Sequence, residues 1–179
     1  MEIMDLKRYC DLALERGATS VKPIQPSSVV TAPWVRLKCQ FGCPGYDQSY
    51  CCPPFTPTPE ETRKILDSYH RALLFHIETV SSKNGTKWKK FIQMLIDLEG
   101  EIFKDGYYKA LIFLAGPCRV CRQCAKATGD ACLDRYKARP SMEACGIDVF
   151  QTARNNGFHI ETLRDEKDPH NTFCLMLVD

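Results

Sequence analysis

The sequence predicts an α/β or α+β fold, in which helices pack on a small mixed sheet and cysteine-rich loops lie at the ends of strands. Three observations lead to this prediction. Apolar residues recur at helical spacing, short apolar runs have the length of buried strands, and most cysteines fall in segments rich in turn-forming residues. We expect one domain over residues 1–179, because the length is ordinary for a single domain and no internal repeat or linker is present.

The first forty residues predict one helix and then extended chain. Residues 5–16 form an amphipathic helical pattern, and Cys10 falls on its apolar stripe, so we interpret Cys10 as a small buried side chain. Residues 29–30 and 34–37 are rich in apolar side chains and are predicted to be extended. This extended segment would lead directly into Cys39.

A loop and a well-marked helix come next. Residues 42–58 contain four prolines and two glycines, which predicts a loop of fixed geometry. Thr58 can cap the following helix, Pro59 suits its first position, and Glu61 completes a capping box. We expect this helix to run to about Tyr69.

The rest of the chain alternates strands and helices. A turn at residues 83–85 precedes a long amphipathic helix that ends near Gly106. Ser141, or a neighbour, is predicted to cap another helix that ends at residues 155–157. Apolar runs of strand length occupy residues 71–79, 108–115, 158–163 and 172–178.

Composition narrows the class of protein. The beginning of the sequence has no signal-peptide pattern and no apolar run is long enough to span a membrane, so we expect a cytoplasmic protein with reduced thiols. The chain has 11 cysteines, an odd number that cannot close entirely into internal disulfides, and metal ligation is the remaining use for so many. The net charge of +2 argues against nucleic acid or an anionic membrane as a partner.

The stronger cysteine pattern lies in the second half of the chain. Cys118, Cys121 and Cys124 follow one another at three-residue steps, and Cys132 is the nearest fourth ligand. This spacing is typical of an iron-sulfur cluster, of the 4Fe-4S type, with thiolates wrapped around one side of a cubane. Zinc is the alternative, although structural zinc sites favour two separated Cys-x2-Cys pairs.

A second cysteine pattern precedes it. Cys39 and Cys43 are followed by the adjacent pair Cys51-Cys52, of which we expect one to bind metal, because neighbouring cysteines seldom ligate the same metal without strain. Either this pattern forms a separate site, completed by Cys145, Cys174 or a non-cysteine group, or the two patterns share ligands. Cys145 is a candidate cofactor ligand or simply a buried residue at a helix start.

Three motifs together resemble a known family. They are Cys39-x3-Cys43 with the later Cys52-Pro-Pro-Phe-Thr-Pro-Thr-Pro-Glu-Glu, the Gly116-Pro-Cys118-x2-Cys121-x2-Cys124 run, and residues 138–148. The chain after about its thirtieth residue looks like the domain-of-unknown-function 2284 family of predicted metal-binding proteins from anaerobic archaea and bacteria. The resemblance implies a metal site, without a reaction, and favours Cys52 over Cys51 as a ligand.

Three functions remain open from the sequence. The first is an electron carrier with one or two iron-sulfur clusters and a redox protein partner, which would dock near the basic residues around Cys118, Cys121 and Cys124. The second is an enzyme or maturation factor whose three-cysteine site leaves a metal position open to a ligand. The third is a zinc-stabilised interaction module. The sequence assigns neither a reaction nor an oligomeric state.

Overall fold

The structure, a computed structural model, describes residues 4–79, 85–165 and 168–179. Within them, the chain forms five α-helices and four β-strands. The helices are α1 (Met4–Glu15), α2 (Pro33–Gly42), α3 (Pro59–Leu66), α4 (Gly85–Lys104) and α5 (Val149–Asn155). The strands are β1 (Ser20–Ile24), β2 (Ala72–Thr79), β3 (Leu111–Phe113) and β4 (His170–Leu177). The predicted α+β class is confirmed.

The four strands form one sheet in the order β1-β2-β4-β3. Adjacent strands pair antiparallel throughout the described residues, whereas a mixed sheet was expected. The direction of pairing depends on how the connections reverse the chain, which the strand residues themselves do not encode. The central strands β2 and β4 are covered on both faces, which explains why each is a nearly continuous apolar run.

Alternate residues of β2 and β4 point to two hydrophobic cores on opposite faces of the sheet. On one face Phe75 and Met176 pack against side chains of α1 and α4. On the other face Leu74 and Leu175 pack with Leu66 of α3 and with residues near α5. The sheet is therefore the middle layer of the molecule.

The helix and strand predictions with the strongest sequence signals are confirmed. Helix α1 buries its apolar stripe, including Cys10, which is 8% exposed. The capping box at α3 is present, since the Thr58 hydroxyl accepts from the Glu61 N–H at 3.2 Å and the Glu61 carboxylate accepts from the Thr58 N–H at 2.8 Å. Strands β2 and β4 and helix α4 occupy the predicted segments, while β3 is shorter than expected. The predicted turn at residues 83–85 lies mostly outside the described residues.

The prediction of extended chain before Cys39 was wrong, because residues 33–42 form helix α2. Pro33 occupies the first turn, where its missing N–H costs nothing, and Val35 buries itself one turn before Cys39. Strand β1 was not predicted at all. It contains Pro23, which is tolerated only because β1 is an edge strand.

Two predictions near the end of the chain also need correction. Residues 158–163 form no strand, because Phe158 and Ile160 pack against the core on one face of the sheet instead of extending an edge. Ser141 caps only one 3-10 turn, accepting from the Ala144 N–H at 3.1 Å. Helix α5 has its own cap, since the Asp148 carboxylate accepts from the Gln151 N–H at 2.9 Å. In the described part of the chain, no helix has the length and apolar character needed to cross a membrane.

Candidate metal centre

Cys39 projects from α2 and is held in place by the polar contacts of that helix. Its Sγ lies 3.8 Å from the carbonyl oxygen of Glu143, in the 3-10 turn before α5. One turn earlier on α2, the Arg36 guanidinium donates to the Thr56 hydroxyl at 2.8 Å and to the Ala144 carbonyl. These bonds fasten α2 both to the cysteine-bearing loop before α3 and to the turn behind it.

Cys43 and Cys52 face each other across Gly45. The Gly45 N–H donates to the Cys43 Sγ at 3.4 Å. A Cβ at Gly45 would lie 3.5 Å from the Cys43 Sγ and 4.0 Å from the Cys52 Sγ, so the glycine leaves the space between the two sulfurs free. Burial and then the neighbouring Cys43 raise the pKa of both Cys39 and Cys52. We call Cys39, Cys43 and Cys52 the first thiol group.

The loop that follows strand β3 carries most of a second group of thiols. After Phe113, the backbone of Leu114 pairs with Ser141, and the chain then enters the loop that begins at Gly116. A cavity of about 40 Å³ in this region has five cysteines in its wall. They form what we call the second thiol group, which consists of Cys51, Cys118, Cys121, Cys124 and Cys132.

Cys51 and Cys118 interact directly within the second thiol group. The Cys51 thiol donates a hydrogen bond to the Cys118 sulfur, which lowers the pKa of Cys118 to about 6. The same bond, together with burial, raises the pKa of Cys51. A lowered pKa favours the thiolate form of Cys118, which is the form that metal ions bind.

The two loops that carry the thiol groups are fastened to one another. The Tyr50 hydroxyl donates to the carbonyl oxygen of Asp130 at 2.7 Å. The Lys126 ammonium forms an ion pair with Asp47 at 3.0 Å and lies 4.9 Å from the centre of the Phe55 ring. The loop before α3 and the loop after β3 therefore form one cysteine-rich face.

Cys51 and Cys52 join the two groups within a single peptide unit. Cys51 lies in the wall of the second group, whereas Cys52 lies beside Cys43. The thiols of Cys118 and Cys124 also contribute to the raised pKa of Cys52, after burial and Cys43. The two groups therefore adjoin each other.

The donor set of both groups is sulfur. In the part of the chain that the structure describes, no three Cys, His, Asp or Glu side chains converge closely enough to hold one metal ion as they stand. The thiols instead surround spaces, the 40 Å³ cavity and the gap over Gly45. Thiolates are soft ligands that bind zinc as well as iron-sulfur clusters, so the donor set of both groups fits metal binding.

The first thiol group opens onto a larger cavity of about 570 Å³. Its wall includes both tryptophans of the chain, Trp34 and Trp88, together with Phe150 and Phe173. Glu143 also contributes to the wall, and burial raises the pKa of its carboxyl group. The Oε2 atom of Glu143 is buried and has no hydrogen-bond partner among the described residues.

The other three cysteines lie inside the hydrophobic cores. Cys10 and Cys174 belong to the core beneath α1 and α4. Cys145 is fully buried in the opposite core, where burial raises the pKa of its thiol to about 12. Its backbone carbonyl accepts from the Thr62 hydroxyl at 2.7 Å, which is a structural bond between α3 and the turn.

The structure brings the predicted ligands together and adds two residues that the sequence did not single out. Cys118, Cys121, Cys124 and Cys132 lie around one cavity. Cys51, expected to be spare if Cys52 binds, belongs to that same group. The adjacent pair Cys51-Cys52 was the sequence signal for the role of Cys51, since two neighbouring cysteines can bind at two different sites. Nothing in the local sequence indicates that Oε2 of Glu143 is buried without a hydrogen-bond partner.

The family model DUF2284, described as a predicted metal-binding protein, matches residues 22–178. No curated protein and no solved structure matches the chain.

Proposed function

This chain belongs to the DUF2284 family of predicted metal-binding proteins, and from that premise we propose that it is an iron-sulfur protein that transfers electrons. The observation that carries the proposal is the placement of eight free thiols in two adjoining groups on one face. When bound, iron-sulfur clusters gain and lose single electrons. The residues of the chain would hold them side by side.

The arrangement of the sulfurs supports iron-sulfur over zinc. Four thiolates on one zinc ion, with Zn–S bonds of about 2.3 Å, lie only about 3.8 Å apart. Five cysteines line the cavity of the second thiol group, one more than a four-coordinate zinc ion binds. A reducing, oxygen-poor cytoplasm would keep these thiols available and preserve such a cluster.

Two assignments of the ligands follow from eight thiols. The second group has one cysteine more than a four-ligand site requires, and Cys118 is close to both groups. If Cys118 completes the first group, both sites have four thiolates. If Cys118 stays with the second group, the first site has three thiolates and keeps one position open toward the large cavity.

The loop after β3 has the features of a docking surface for a redox protein. Arg122 and Arg135 are exposed on it and form no ion pair with any described residue. Leu133 and Tyr136 are 74% and 90% exposed beside them. Basic residues around exposed apolar side chains suit a partner with an acidic surface, which they would attract at a distance and hold on contact.

The deciding experiment is to purify the protein without oxygen and to measure iron, sulfide and zinc together with the visible spectrum. We expect about four or eight iron atoms per chain, a matching amount of sulfide and broad absorption near 400 nm. We also expect the absorption to bleach on addition of a reductant. A colourless protein with stoichiometric zinc would overturn the proposal and indicate the interaction module.

One observation favours a second function, an enzyme or maturation factor. The first thiol group opens onto the 570 Å³ cavity, which is within the usual range for small-molecule sites. Sites that bind a small molecule are concave and mostly apolar, as this cavity is. A change in the cluster spectrum on addition of a small molecule would support this second function.

A further inference from the structure

We infer that the 570 Å³ cavity beside the first thiol group binds a small hydroxy-carboxylic acid with an aromatic or branched apolar body. The inference rests on the proposed function only in placing this ligand next to a cluster. The cavity, its charges and its buried polar atom belong to the chain itself.

The apolar part of the ligand follows from the walls of the cavity. Cavities of about 300 to 1,000 Å³ enclose most of a drug-sized molecule. Trp34, Trp88, Phe150 and Phe173 supply aromatic surface, and Ile160 adds a buried aliphatic side chain. Aromatic and branched groups bury the most apolar area against such walls.

The hydroxyl group of the proposed ligand is inferred from the unpartnered Oε2 atom of Glu143. A buried carboxyl oxygen without a hydrogen-bond partner costs free energy, which a ligand can recover by forming the missing bond. A hydroxyl can both donate and accept, so it satisfies Oε2 whether or not the carboxyl group carries its proton. This step is therefore independent of the protonation state of Glu143.

The carboxylate group of the proposed ligand is inferred from the charged residues that line the cavity. Lys38 and Arg119 contribute to its wall, both are exposed, and neither forms an ion pair with any residue that the structure describes. Lys38 lies 5.4 Å from the centre of the Trp34 ring, so its charge stays close to the aromatic wall. Asp148 is the opposing charge in the lining besides Glu143, and its carboxylate already caps α5. A ligand anion therefore meets two free cations.

The test is a binding titration of the anaerobically purified protein with three probes. Phenyllactate has the apolar body, the hydroxyl and the carboxylate; hydrocinnamate lacks the hydroxyl, and phenylpropanediol lacks the carboxylate. Both tryptophans of the chain line the cavity, so tryptophan fluorescence reports occupancy, and calorimetry gives an independent affinity. We expect phenyllactate to bind roughly fivefold more tightly than hydrocinnamate, the effect of one hydrogen bond.

Variants of Arg119 and Arg122, which are both exposed, identify the site without threatening the fold. Arg119→Ser should lower the affinity for phenyllactate roughly threefold, as expected for the loss of a solvent-exposed ion pair. The affinity for phenylpropanediol should not change. Arg122→Ser, on the same loop but outside the cavity wall, is the matched control and should change neither affinity. Glu143→Gln keeps a group that can donate and accept hydrogen bonds, so it should retain binding. Glu143→Leu should lower the affinity for phenyllactate to that for hydrocinnamate.

The outcomes separate this inference from the proposed function, because metal and sulfide are measured on the same samples. Saturable phenyllactate binding that Arg119→Ser weakens supports the cavity site, whichever metal the protein holds. An intact cluster with no saturable binding of phenyllactate at millimolar concentration would overturn the cavity site and leave the cluster proposal standing. Equal affinity for all three probes would also overturn it, because the polar contacts would then contribute nothing.

Discussion

At the scale of single residues, each cysteine has one of two environments. Cys121 lies in the loop after β3, partly exposed and among other thiols. Cys10 is buried on the apolar stripe of α1, where it acts as a small hydrophobic side chain. A chemical test can therefore compare a cysteine from a thiol group with one from a core.

Cys121→Ser should remove or convert the metal of the second thiol group, because serine is a hard, poor ligand for iron or zinc in place of a thiolate. We expect iron per chain to fall by about half if two clusters are present. Metal analysis and the visible spectrum measure this loss. Cys10→Ser is the control, with unchanged metal content, and full metal occupancy in Cys121→Ser would remove Cys121 from the ligand set.

Cys51 and Cys52 should behave as ligands of different sites although they are neighbours. Combining Cys51→Ser with Cys121→Ser should cost no more metal than Cys121→Ser alone, because both residues belong to the second thiol group. Combining Cys52→Ser with Cys121→Ser should remove nearly all metal. Equal losses in the two double variants would contradict the division into two groups.

At the scale of elements, the turn behind the first thiol group depends on one glycine. Gly146 has φ +75° and ends the 3-10 turn that carries Glu143. A Cβ there would lie 2.5 Å from Cγ of Pro59, at the start of α3. The Gly146 carbonyl oxygen also accepts a hydrogen bond from the N–H of Ala32, just before α2, at 2.9 Å. Gly146 thus allows two helices and the turn to meet.

Gly146→Ala should destabilise the fold by more than backbone strain alone. Gly129 is the matched control, since it has φ +77° and open space around the position of a Cβ. Gly129→Ala should lower the free energy of unfolding by about 1 kcal/mol, the cost of a left-handed alanine. Gly146→Ala should cost at least about 1 kcal/mol more, the penalty of overpacking. Urea unfolding measures both, and equal losses would show that Pro59 moves aside freely.

The elements differ in how far the sequence predicts them. The helix α3 was predictable because Thr58, Pro59 and Glu61 fix its start locally. Helix α2 was missed because its residues have mixed local preferences, and contacts of Arg36 and Val35 with distant segments decide the outcome. The members of the second thiol group from the loop after β3 follow from spacing alone, whereas Cys51 joins them only through tertiary packing. Local signals were sufficient where the contact partners are close in sequence.

At the scale of the whole molecule, Arg71 connects distant parts of the chain. Its guanidinium binds Asp5 of α1 at 2.8 Å and also binds Asp179, beyond β4. The hydrogen bond from Arg71 is the main cause of the lowered pKa of Asp179. Burial acts to raise the pKa of Asp5, but hydrogen bonds from Tyr107 and Arg71 outweigh it and lower that pKa too.

Both carboxylates should make the fold more sensitive to acid. A carboxylate whose pKa is lower in the folded protein stabilises it above the ordinary pKa of 3.8, and this contribution is lost as the pH falls through the lower folded value. Arg71→Met should cost about 2 kcal/mol at neutral pH. It should cost much less near pH 2. Thermal unfolding across this range measures the difference, and a cost independent of pH would contradict the ionic origin.

The single peptide unit between Cys51 and Cys52 has a consequence for how the protein acquires its metal. Filling either site fixes the backbone of both residues, so the second filling event does not pay the same ordering entropy again. Loading should therefore be cooperative. During reconstitution of the metal-free chain, native mass spectrometry should find empty and doubly filled molecules, with few that are half-filled. Inserting one glycine between the two cysteines would relax this coupling and let half-filled chains accumulate.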